Sequence, residues 1–224
     1  MAEQESREGI NLGETVSRAE DFFKQNKKLI TYIGGGIAGL IILFLGWKYY
    51  IHSQDQIAQE QALGAIRYFE KDSLDLAIKG DGQSMGLEDL VDEYGLTPTG
   101  NLCYYYLGIA YYKKGKPQEA IEKLKKFSGS DNMVAATALN AIASAYEDLK
   151  DKDHAAAYYE KAAHEFENDA TTPIYLMQAG RVYEESGDRK KALKIYYEIK
   201  NKYPNSTEGR DMDKYIAPIE AAMD

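Results

Sequence analysis

Between residues 101 and 204 the chain repeats itself three times, and self-similarity at such a period commits a sequence to a stack of like units. Leu107-Gly108 with Tyr111, Gly115, Ala120 and Leu124 aligns with Ile142-Ala143 with Tyr146, Ala155 and Tyr159. Both align with Ala179-Gly180 followed by Tyr183, Gly187, Ala192 and Tyr196, at separations of 35 and 37 residues. One unit of this length cannot bury an apolar face alone, whereas neighbours held in one register bury it jointly. Turn residues punctuate the units: Lys114-Gly115-Lys116-Pro117, Ser186-Gly187-Asp188, and Pro204 after the last copy. Glycine there fits a helix end that turns left-handed, and proline fits a helix start or a stop. In the middle copy Lys150 stands where glycine is usual. Only five prolines occur in 224 residues, which agrees with an all-α chain in which strands do not dominate.

These residues resemble the tetratricopeptide repeat family, whose unit carries a small residue at position eight, an aromatic at eleven and alanine at twenty. The resemblance covers residues 101–205 and implies a solenoid of helical hairpins. Gly108, Ala143 and Gly180 would let paired helices approach, and Tyr111, Tyr146 and Tyr183 would fill the space left between them. It also implies a concave partner-binding groove lined from the first helix of each hairpin. Those positions are Leu102, Tyr105, Ile109 and Tyr112, then Thr137, Asn140, Ser144 and Glu147, then Ile174, Met177, Arg181 and Glu184. Tyrosine and methionine offer contact area and adaptable bonding, which suits an extended or unfolded polypeptide.

A second constraint lies upstream. Leu29 to Trp47 is a run of 19 residues without a charge, long enough as a helix to approach the hydrocarbon thickness of a bilayer. Tyr32 near one end and Trp47, Tyr49 and Tyr50 near the other suit the headgroup boundaries. A cleaved signal peptide fits poorly, because Lys48-Tyr49-Tyr50 follows where a small-residue site would be needed. No cysteine directly follows the run to accept a lipid, the only one, Cys103, being far downstream. Gly34, Gly36 and Gly39 match the dinucleotide-binding glycine pattern literally, yet the residues beyond are apolar all round and do not form an amphipathic crossover helix. Gly35, Gly39 and Gly46 read instead as a small-residue contact face for another membrane helix. Arg18, Lys24, Lys27 and Lys28 precede the span while only Lys48 closely follows it, so the amino terminus is expected in the cytoplasm. Val16, Ala19, Phe22 and Phe23 are spaced for a short amphipathic helix at the inner surface.

The expected organisation is a cytoplasmic leader over 1–28, a transmembrane helix over 29–51, and leading helices with a degenerate first repeat over 52–100. Three repeats over 101–205 and a capping helix over 206–224 complete it, with Pro218 placed to kink that helix. Six basic and six acidic residues occupy 1–51, and 21 basic against 30 acidic residues follow, so the net charge of −9 belongs to the repeat-bearing part. Acidity of that kind disfavours nucleic-acid binding. The single cysteine, Cys103, has no intramolecular partner and does not assign a compartment. His52, His154 and His164 are scattered without cysteine companions, and no phosphate loop, nucleophile elbow or Cys/His pairing occurs. No catalytic residue, metal site or cofactor is therefore expected.

The layout as a whole resembles the YfgM-like ancillary subunits of the Sec translocon, in a form familiar from Bacteroidetes. That resemblance implies a single-pass protein of a bacterial inner membrane with a periplasmic repeat domain. SecYEG, a PpiD-like chaperone and secretory chains would be its partners. A coordinator of outer-membrane or peptidoglycan machinery is the alternative reading.

Overall fold

The structure, a computed structural model, describes Phe22, residues 24–129 and residues 133–223. Every regular element among them is a helix. Two compact units divide between Ile51 and His52. Of the expected leader helix, Val16, Ala19 and Phe23 lie outside the described residues, as does Arg18.

The first unit contains the beginning of α1 (Lys27–Glu70), a helix of 44 residues. It is long and apolar enough to cross a membrane, and its apolar stretch is not buried in the protein. Leu40, Ile42 and Leu43 are each about 70 % exposed. Polar side chains here turn back on the backbone: Asn26 donates to the Phe22 carbonyl at 3.0 Å and Thr31 to the Lys27 carbonyl at 2.9 Å. Such local bonds satisfy polar groups without solvent.

In the second unit α1 continues to Glu70 and is followed by α2 (Leu74–Lys79) and α3 (Leu87–Tyr94). Three hairpins come next: α4 (Pro98–Lys113) with α5 (Pro117–Leu124), α6 (Met133–Asp148) with α7 (Lys152–Glu165), and α8 (Thr172–Ser186) with α9 (Arg189–Lys202). Helix starts follow from local chemistry. The Thr97 hydroxyl accepts from Gly100 N–H at 3.0 Å, with Pro98 in the first turn where no amide is needed. Asp151 and Asp188 cap α7 and α9 by accepting from the amides of His154 and Lys191. At the turns inside the hairpins Gly115, Lys150 and Gly187 all have φ between 64° and 86°. Lys150 thus adopts the left-handed conformation without glycine's freedom, at a cost of about 1 kcal/mol.

Where a single capping helix was expected after residue 206, the chain makes two: α10 (Thr207–Arg210) and α11 (Asp213–Ala221). The bend between them buries Met212, which joins Ile216 and Ile219 against Ile195, Tyr196 and Ile199. Pro218 lies inside α11.

Small residues set the close packing. A methyl added at Gly108 would meet Leu124 Cγ at 2.4 Å, and one at Gly180 would meet the Tyr196 ring at 2.4 Å. Ala143, Ala155 and Ala192 are fully buried. Each hairpin therefore closes because position eight has little or no side chain opposite a large residue of its second helix.

Candidate functional site

Leu102, Tyr105, Ile109 and Tyr112 recur at intervals of three and four, so they share one face of α4. All four are half-buried. Tyr105 and Ile109 rest on the cluster around Ile121, Leu124 and Ile142, with the Phe127 ring 5.7 Å from that of Tyr105. Burial pushes the phenols of Tyr105 and Tyr112 above the usual tyrosine range.

The corresponding residues of α6 are more polar. Thr137 donates to the Met133 carbonyl at 2.7 Å, Ser144 to the Asn140 carbonyl at 3.1 Å, and the Ser144 hydroxyl lies 3.1 Å from that of Tyr159. Glu147 accepts from the Tyr159 hydroxyl at 2.8 Å. The Asn140 side-chain oxygen is buried without a hydrogen-bond partner among the described residues. On α8, Ile174 is exposed, Met177 rests on the core below it, and Arg181 and Glu184 are exposed. Glu184 accepts from the Tyr196 hydroxyl at 3.1 Å.

Contacts join the three helices. Tyr105, Ile109 and Tyr112 pack against the cluster that holds Ala138, Ala141, Ile142 and Ala145 of α6, and Glu147 lies 3.9 Å from Arg181 of α8. The twelve positions therefore form a staircase across α4, α6 and α8.

The leading helix lies against a different side of α4. Ala58, Ala62 and Ala65 of α1 join Cys103, Leu107 and Ala110 in one cluster, and the Phe69 ring meets that of Tyr106 edge-on at 5.1 Å. Asp55 accepts from the Thr99 amide at 2.7 Å. Burial pushes Asp55 upward, but the Thr99 amide and the Gln59 side chain outweigh it and hold the carboxyl below its usual range. Cys103, enclosed in this cluster, has its thiol pushed up to about 11 by burial.

A second set of contacts lies at the repeat junctions. The Tyr111 hydroxyl donates to Glu88 and that of Tyr183 donates to Glu160, both 23 residues upstream. At the junction between them, Lys125 donates to the Tyr146 hydroxyl at 2.6 Å. A phenol both donates and accepts, so the same tyrosine position tolerates a carboxylate or an ammonium. Glu88 sits on α3, so α3 stands to α4 as α7 stands to α8.

Two family profiles, each described as tetratricopeptide repeat, match residues 105–170 and 175–206. Over these segments the chain is similar to tetratricopeptide repeats. Two solved structures share the repeat fold: nearly identical TPR-like repeats of a provisionally assigned kinesin light chain from Podosopora anserina, and a methionine-substituted variant of them. Each has a TM-score of 0.52 at 19 % identity. The similarity covers 74 % of this chain in both cases, and 86 % of the first structure and 85 % of the variant. No curated protein matches the chain.

The sequence reading of the face overlooked Tyr159 and Tyr196, second-helix tyrosines whose hydroxyls reach Glu147 and Glu184. A signal was present, since both pairs are spaced by twelve residues in the same register. Among the described residues no group of three or more His, Cys, Asp or Glu side chains is arranged to hold a metal ion.

Proposed function

We propose that this chain is a membrane-anchored, protein-binding scaffold whose repeats hold polypeptide on the side of the membrane opposite the amino terminus. The observation that carries the reading is the staircase across α4, α6 and α8, a face of unlike side chains that the leading helix leaves uncovered. Tetratricopeptide repeats support a protein-interaction role in general, and the exposed apolar stretch of α1 supports anchoring. The basic residues ahead of that stretch support an amino terminus in the cytoplasm, which puts the repeats in the periplasm of a bacterial inner-membrane protein. Among the described residues, a methyl added at Gly35, Gly39 or Gly46 would meet nothing within 4 Å beyond the helix's own backbone and adjacent residues, which leaves this face open to a neighbouring membrane helix.

In its specific form the proposal is association with SecYEG and a PpiD-like chaperone during the handling of secretory chains, with the repeats offering Tyr105 and Tyr112 to the chain in transit. The test is photocrosslinking from Tyr105 and Tyr112 in intact cells, combined with co-isolation in mild detergent. Channel subunits and nascent secretory chains among the products are the expected result. Outer-membrane or peptidoglycan machinery, with no secretory chains, would replace this reading with that of an envelope organiser.

A further inference from the structure

The staircase is not uniform along the repeats. The α4 end consists of Leu102, Tyr105, Ile109 and Tyr112, with no charge among them. The α6 and α8 end carries Glu147, Asp148 and Glu184 against the single guanidinium of Arg181. Asp148 belongs to this surface, because it lies one helical turn beyond Ser144 on the same face of α6. Asp148 and Glu184 are exposed, and the Glu147 side chain keeps 36 % of its surface open although it accepts from Tyr159. Arg181, the one cation on the face among the described residues, stands 3.9 Å from Glu147 and leaves an excess of negative charge.

We infer that the face selects extended segments in which an apolar or aromatic stretch adjoins a cationic one, with the apolar part over α4 and the cationic part over α6 and α8. This rests on the reading that the face holds polypeptide and deepens it by specifying which polypeptide. The physical basis is complementarity. Desolvating tyrosine and isoleucine favours apolar contact at one end, and an uncompensated carboxylate cluster attracts ammonium or guanidinium groups at the other while repelling acidic ones.

The experiment uses the full chain in phosphatidylcholine nanodiscs, with empty nanodiscs subtracted. Three fluorescent peptides share one apolar stretch and carry a lysine-rich, a neutral or a glutamate-rich flank. At low salt the lysine-flanked peptide should bind roughly tenfold more tightly than the glutamate-flanked one, and the difference should shrink to under about threefold at 1 M salt. The variant D148N/E184Q should lose this preference. A photoreactive group in the apolar half should label α4, and one in the cationic half should label α6 or α8.

Equal binding of all three peptides, or tighter binding of the acidic one, overturns the inference and leaves the polypeptide-binding reading intact. Labelling in the reversed direction does the same, as does a preference that survives in D148N/E184Q. Failure of every peptide to bind, the neutral one included, overturns the polypeptide-binding reading itself. Circular dichroism of the variant confirms that the helices persist, so a lost preference reports on charge.

Discussion

Helix α1 contains two stretches whose similar local propensity serves opposite ends. From Leu29 to Trp47 it presents large apolar side chains outward, and among the described residues a side chain begun at its glycines would meet nothing within 4 Å beyond the helix's own backbone and adjacent residues. From Asp55 to Phe69 it presents alanines inward, with Ala58 and Ala65 at 0 % exposure, and a methyl at Gly64 would meet Ser84 Cβ at 2.9 Å. The first stretch is long and apolar enough to cross a membrane, and the second packs against a fixed protein partner. Backbone hydrogen bonding carries the helix through both, while the side chains determine what surrounds each part.

The sharpest way to break this contrast is a charge on each side. Ala62→Arg places a guanidinium into the interface with α4 and should cost about 3–5 kcal/mol. Because stacked repeats are stabilised by nearest neighbours, the loss should appear first as hydrogen exchange in α1, α3 and α4, with α8 and α9 protected for longer. Uniform loss of protection would contradict it. Leu43→Arg, in the apolar stretch, should cost about 2.5–3.5 kcal/mol of membrane insertion instead. The protein should then be released from membranes by alkaline washing, with the melting temperature of the repeats unchanged.

A smaller effect is expected at Asp55, whose carboxylate accepts from the Thr99 amide beside the α4 start. Asp55→Ala should cost about 1–2 kcal/mol at neutral pH. Since the folded carboxyl is held below its usual range, its stabilising contribution is present above the unfolded value and is lost as pH falls through the folded one. The wild type should therefore lose stability on acidification more steeply than the variant, as read by urea titrations across the acid range. Identical slopes would show that Asp55 contributes nothing through its charge.

The smallest contrast compares the glycines. Gly64→Ala gains about 1 kcal/mol in helix propensity but must displace Ser84, and the net change should be a destabilisation of about 1 kcal/mol in thermal melts. Gly39→Ala gains the propensity with nothing to displace, so membrane retention and repeat stability should both be unaffected. If Gly39→Leu weakens a co-isolated membrane partner while retention stays constant, the small-residue face is in use. If association is unaltered, that face is only a tolerated run of glycine.

Much of the repeat architecture was legible in the residues because steric demands repeat with the chain. A small residue opposite Leu124 or Tyr196, an alanine on the second helix and a tyrosine between them have no interchangeable arrangement, so three copies in register specify three hairpins. The candidate face was only half legible. Periodicity assigned its twelve positions through the family resemblance, but the Tyr159–Glu147 and Tyr196–Glu184 bonds join residues of different helices, and local patterning does not rank such pairs above other tyrosine–carboxylate spacings. The Asp211-Met212 bend was missed because helix propensity there is ordinary, and the gain comes from apolar surface on α9 that is distant in sequence.

From its order of residues alone the chain determined where helices begin and end in the repeats, which positions must be small, and that one stretch is long and apolar enough to cross a membrane. Tertiary structure decided which side of α4 the leading helix covers, which side it leaves open, and which charges gather along the open one. The reason is physical: helix formation and burial depend on residues three or four apart, whereas exposure of a face depends on whatever distant segment comes to rest against it.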